Sequence, residues 1–173
     1  MSISLYDATV ASYLQTLGGV ANVLDKGEAY AAENGIELQD IVNHRLRDDM
    51  APFSFQVISV WHHSKGAVQG LKDGLFTPPP PMSDMYYTKV KGLVAEAIDS
   101  LQQESREEID ALADKPLTFR LDRSNIPFTT NNFILSFSLP NFYFHSTTTY
   151  AVLRILEVPL GKMDYLGALR LAG

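Results

Sequence analysis

The residues best suited to chemistry in this chain are histidines, and two of them fall on apolar helical stripes. In LPNFYFHSTTTYAVLR (139–154) and just beyond it, Phe142, His145, Thr149, Val152 and Leu156 step by three, four, three and four. That spacing places them on one face of an α-helix. Upstream, MAPFSFQVISVWHHSKGA (50–67) sets Gln56, Val60, His63 and Ala67 on a second such face. His62 points away from it, because adjacent residues on a helix stand about 100° apart.

Two inward histidines on different helices are one route to a metal or an acid–base centre. A divalent metal normally takes three protein ligands and an open position, or four ligands. Neither seam carries a carboxylate, and Asp48 and Asp49 lie more than three turns before His63. Spacing alone therefore favours hydrogen-bonded core histidines over ligands or catalysts. LGK (160–162) lacks the flanking pattern of a phosphate loop and reads as a turn. No nucleophile-elbow motif accompanies the serines. The threonines at 147–149 can bond back to the preceding helical turn, and Thr149 fits a tight seam.

The elements that must position these residues are amphipathic helices. Val10, Leu14, Leu17, Ala21 and Leu24 form the stripe of a first helix, with Ser2 or Ser4 as its cap and Asn34-Gly35 as its stop. Leu46, Met50, Phe53, Val57, Val60, Ser64, Ala67 and Leu71 form a second. Pro52 predicts a kink near 48–50 or a helix beginning around Pro52 itself, and Lys72-Asp73-Gly74 an end. LFTPPPPMS (75–83) is a stiff extended spacer. A third helix, capped by Ser83 or Asp84, buries Val90, Val94, Ala97, Leu101 and Ile109. Alternation at 118–121 and again at 133–139, around a turn-rich 122–132, predicts a small β-hairpin or extended crossover. The fourth helix runs from Pro140 to Leu156 with the proline in its first turn, and the tail after it folds back over the bundle.

Composition sets the outer bounds. The 173 residues suffice for one domain, 1–173, with a real core, and 46% are hydrophobic against 20% charged. There is no cysteine, which removes thiolate ligands and thiol nucleophiles and fits a reducing cytoplasm. The net charge of −6 disfavours nucleic acid as a partner. No stretch approaches a membrane span, and Asp7 interrupts any leader-like run, so a cytoplasmic protein with no membrane partner is expected.

Three blocks in order carry a resemblance: MAPFSFQ with HSKGA, then LPNFYFH, then LGKMDYLG. Nearly the whole chain resembles a bacterial family of unknown function in the DinB/YfiT-like superfamily. The resemblance implies an all-α fold, a DinB-like four-helix bundle with one long connection before the last helix. The superfamily includes metal-dependent thiol transferases and a maleylpyruvate isomerase, which hold their metal with one histidine on the second helix and an H-x-x-x-H pair on the last. By that resemblance His63 and His145 take two ligand positions for a divalent metal such as zinc or nickel, and Thr149 stands at the third. The expectation is a central small-molecule pocket lined by His63, His145, Gln56, Phe142, Tyr143 and Thr149. It serves a metal-dependent transferase or isomerase, with His63 or His145 as base or ligand. The alternative is a metal-free, non-catalytic bundle that binds a small molecule or plays a structural part. A homodimer is expected in either case, with Phe128, Phe133 and Ile134 as a candidate surface.

Overall fold

The computed structural model describes residues 3–171. In chain order it contains a π turn (Asp7–Ala11) leading into α1 (Ser12–Asn34), then α2 (Leu38–Asn43) and α3 (Phe53–Trp61). A second π turn (His62–Gly66), α4 (Ala67–Asp73), β1 (Leu75–Phe76), α5 (Tyr87–Gln102) and α6 (Arg106–Asp110) follow. The hairpin strands β2 (Pro116–Leu121) and β3 (Ser124–Thr129) precede α7 (Thr130–Phe133), a third π turn (Ile134–Ser138), α8 (Leu139–Ile155) and α9 (Lys162–Leu166). The long helices close a ring: α1 packs on α5 and α8, and α3 packs on the same two. This is the expected four-helix bundle with a small sheet set into its long connection.

The ring explains why the heptad stripe of α1 is only part of its buried face. Val10, Leu17 and Leu24 are fully buried, but so are Tyr13, Val20 and Val23, while Leu14 and Ala21 are only partly covered. A helix with two neighbours buries a wider arc than a coiled-coil seam. Ser4 starts this run by accepting the Asp7 N–H at 3.2 Å, and the other expected cap, Ser2, lies outside the described residues. Gly35 and Gly74 end their helices at φ of 65° and 66°, as the Asn-Gly and Asp-Gly pairs predict.

Several boundaries differ from expectation. The second helix does begin at the proline, at Phe53 with Pro52 as its N-cap, as one of the two readings of Pro52 expected, but Leu46 and Met50, placed on its stripe, belong to the loop before it. Neither Ser83 nor Asp84 caps the third helix, which starts at Tyr87 without a side-chain cap. Ile109 is buried, but from the separate short α6. The spacer is not wholly free of pairing: Leu75 and Phe76 add a parallel strand to the hairpin, opposite Thr118 and Phe119.

The hairpin is tighter than the alternation suggested. Its second strand is Ser124–Thr129, paired from Leu121↔Ser124 to Pro116↔Thr129 across a two-residue turn with Asp122 at φ 52°. Pro127 argues against a central strand, but β3 is an edge strand, where a missing N–H costs little. Residues 133–139 are helical instead, and Phe133 and Ile134 are fully buried within the chain. They are therefore not part of a free dimer surface. The last helix starts ten residues early, with the Thr129 hydroxyl accepting the Asn132 N–H. Pro140 sits inside that run. The π turn before it absorbs the proline, since the Leu139 N–H reaches back to the Ile134 carbonyl and widens the helix where Pro140 has no N–H to give.

Candidate functional site

The bundle brings His63 and His145 together from α8 and the π turn after α3. Their rings lie nearly parallel, with centroids 6.2 Å apart and an interplanar angle of 13°. Phenylalanines surround them. Phe76 and Phe137 stand 5.6 Å and 5.5 Å from His63, and Phe55 and Phe144 meet His145 edge-on at 5.9 Å and 5.1 Å. Phe55 and Phe144 keep 42% and 57% of their surface exposed, so the aromatic wall on the His145 side opens to solvent.

Gln56 fixes His145. Its amide nitrogen donates to the Ala51 carbonyl at 3.0 Å, which turns its oxygen toward the imidazole. The His145 Nδ1–H then donates to Gln56 Oε1 at 2.8 Å. Because the acceptor is a carbonyl oxygen, the proton resides on Nδ1 and the lone pair of the neutral ring on Nε2. A second hydrogen-bond chain holds the backbone of His63. The Ser138 hydroxyl donates to the His63 carbonyl at 2.9 Å, so the Tyr13 hydroxyl, 3.0 Å away, donates to Ser138. Ser138 is the last residue of the π turn before α8 and His63 lies in the π turn after α3, so two widened turns face each other here.

Burial keeps the imidazoles neutral. It pushes His63 down to about 3, with His62 and then His145 adding to the effect, and it pushes His145 to about 4. His62 is also lowered by burial, against the opposing pull of the Thr77 carbonyl. The Nδ1 atom of His63 is buried and has no hydrogen-bond partner among the described residues. His62 does leave the seam, yet it is buried as well. The extended spacer covers it, and its Nε2–H donates to the Thr77 carbonyl at 2.7 Å.

The other expected pocket residues divide. Gln56 joins the histidines directly. Thr149 is fully buried, and its hydroxyl donates to the His145 carbonyl at 2.9 Å. Phe142 is core, edge-on to Tyr13 with centroids 4.8 Å apart. Tyr143 turns to a different cavity, shared with Tyr165 and α1. Phe55, Phe144, Tyr13 and Ser138 were not among the expected residues. Phe144 directly precedes His145 and Phe55 precedes Gln56, but adjacency in sequence does not reveal a shared face.

The donors around His63 and His145 fall short of the metal site that the superfamily resemblance implies. Among the described residues no group of three or more His, Cys, Asp and Glu side chains is placed to hold an ion. Thr149 spends its proton on the helix backbone, and threonine is a poor ligand for zinc or nickel. His62 cannot complete the set, because its Nε2 is tied to Thr77 and its Nδ1 lies against Gly66, where a β-carbon would come within 2.8 Å of it. Two neutral imidazoles do not fit a site that needs three protein ligands.

The family assignment follows from sequence and fold together. The family described as "Domain of unknown function (DUF1993)" matches residues 5–166. The chain belongs to this family. Among solved structures it is similar to a DinB family member protein from Shewanella denitrificans, with a TM-score of 0.82 and 26% sequence identity over 98% of this chain and 95% of that one. No curated protein matches. This DUF1993 chain thus lies within the DinB-like superfamily, as the three sequence blocks implied. Among the described residues no helix is long and apolar enough to cross a membrane.

Proposed function

We propose that this DUF1993 protein is a metal-free member of the DinB-like superfamily whose histidine pair binds a small, uncharged molecule. The carrying observation is the hydrogen bond from His145 Nδ1 to Gln56, which presents Nε2 as an acceptor beside an aromatic wall. Such a wall with neutral nitrogens suits an apolar ligand bearing a hydroxyl or amide donor. Binding is favoured over acid–base catalysis because a base poised near 7 works best at neutral pH, whereas His145 sits near 4. Metal-dependent transferase or isomerase chemistry is the second reading, and the third position, Thr149, argues against it. The homodimer and the cytoplasmic location remain part of the proposal. The first rests on the superfamily and the second on the absence of cysteine.

The test is metal content by mass spectrometry on untagged protein after incubation with zinc, nickel and manganese. The expected result is far less than one metal per chain, with a marked gain in Thr149→His. Near-stoichiometric metal in the wild type, lost in both His63→Ala and His145→Ala, would overturn the reading.

A further inference from the structure

A polar cleft separate from the histidines carries an inference of its own. It measures about 240 Å³ and is lined by Ser12, Gln15 and Thr16 of α1, Tyr143 of α8, and Tyr165 and Arg170 of the C-terminal segment. We propose that this cleft binds a small oxyanion, a carboxylate or phosphate group, through the Arg170 guanidinium and the hydroxyls of Tyr143 and Tyr165.

The wall chemistry carries the argument. Arg170 is the lining cation, and among the described residues no aspartate or glutamate lines the cleft. Among the described residues Arg170 forms no ion pair, although the chain carries 20 carboxylate side chains and a net charge of −6. The remaining polar groups sort into spent and available. Gln15 donates its amide to the Leu166 carbonyl at 3.2 Å, and Ser12 donates its hydroxyl to the Asp7 carbonyl at 2.7 Å. Tyr165 accepts from the Thr147 hydroxyl at 3.2 Å, which leaves its own proton to give. Tyr143 stays protonated at neutral pH, since burial, and then Tyr165, raise its pKa above the ordinary phenol value against the opposing pull of the neighbouring Ser12 hydroxyl and the Arg170 charge. A planar fork of N–H donors beside two phenolic O–H donors is complementary to an oxyanion. The volume lies below the usual range for drug-sized ligands, about 300–1,000 Å³, so the occupant is small.

The cleft is also held in shape. The segment after α8 is clamped to α1 so closely that a β-carbon on Gly19 would come within 2.0 Å of the Tyr165 carbonyl oxygen, and one on Gly167 within 2.3 Å of the Gln15 oxygen. Asp164 pins the same segment by accepting the Gly161 N–H at 2.8 Å and pairing with Lys26 at 2.5 Å. LGKMDYLG is therefore the latch that places Tyr165 over α1, and a preorganised wall lowers the cost of binding.

The experiment titrates the full chain with inorganic phosphate and, separately, with succinate at constant ionic strength, followed by backbone amide shifts. At least one probe is expected to saturate, with shifts gathered around 12–16, 143 and 165–170. Which probe saturates distinguishes phosphate from carboxylate. Arg170→Gln is expected to weaken that binding about ten-fold or more, and Tyr165→Phe by a smaller factor of about three. Failure of both probes to saturate overturns the proposal. So does undiminished binding in Arg170→Gln, or shifts centred on His63 and His145.

Discussion

At Asp164 a carboxylate is kept charged by hydrogen-bond partners from its own segment and from α1, whereas at His63 and His145 burial keeps charge away. The carboxylate is drawn down to about 2 by the Gly161 N–H first and then by Lys26. The imidazoles fall to about 3 and 4 because an apolar, aromatic surround disfavours the cation. Both regions join the same last stretch of chain to the rest of the bundle, but by opposed physics. One is a polar clip on the surface of α1. The other is a neutral cluster among phenylalanines. The contrast shows that a low pKa by itself does not name its cause, since a partner's attraction and a desolvation penalty produce it equally well.

The largest way to break the latch is steric. Gly19→Ala drives a β-carbon into the Tyr165 carbonyl, and backbone on both sides leaves little room to yield. The expected loss is about 3 kcal/mol in denaturant unfolding. The His145 tautomer, read by nitrogen NMR, should persist in whatever fraction stays folded. A Gly19→Ala protein as stable as the wild type would mean that α1 and the tail are not in close contact.

Acid separates the two regions next. A histidine whose folded pKa lies below its unfolded value of about 6.5 binds fewer protons when folded, so its contribution is fully present above 6.5. It is lost as pH falls from 6.5 toward about 4 for His145 and about 3 for His63. Asp164 begins to lose its contribution only below its unfolded value of 3.8 and finishes near 2. Stability measured from pH 7 down to 4 should therefore drop by roughly 3 kcal/mol, most of it from His63, with the half-buried His145 adding less after solvent screening. His63→Phe should flatten that slope, and Asp164→Asn should leave it unchanged. A flat profile above pH 4 in the wild type would contradict the buried neutral pair.

The smallest effect sharpens the histidine side alone. Gln56→Leu removes the acceptor for His145 Nδ1–H and is expected to cost about 1–2 kcal/mol. Gln56→Glu should instead raise the His145 pKa, because a carboxylate stabilises the imidazolium. Proton NMR titration of the His145 ring reads the shift directly, and an unmoved pKa would remove Gln56 from the role assigned to it.

The sequence by itself determined the helical architecture, the inward faces bearing His63 and His145, and the glycine stops after Asn34 and Asp73. Each of these depends on near neighbours along the chain, on helical periodicity or on the left-handed freedom of glycine. Resemblance in three short blocks added the family. Periodicity failed where local pattern and long-range packing disagreed. Alternation at 133–139 suggested a strand, yet Phe133 and Ile134 gain more by burial in a helix that a π turn carries past Pro140. Only the tertiary structure decided that Tyr143 leaves the histidines for the cleft beneath the tail, that Ser138 and Tyr13 brace His63, and that Gln56 chooses the proton position on His145. The last two outcomes depend on contacts between residues 75 to 125 positions apart, which no local spacing encodes.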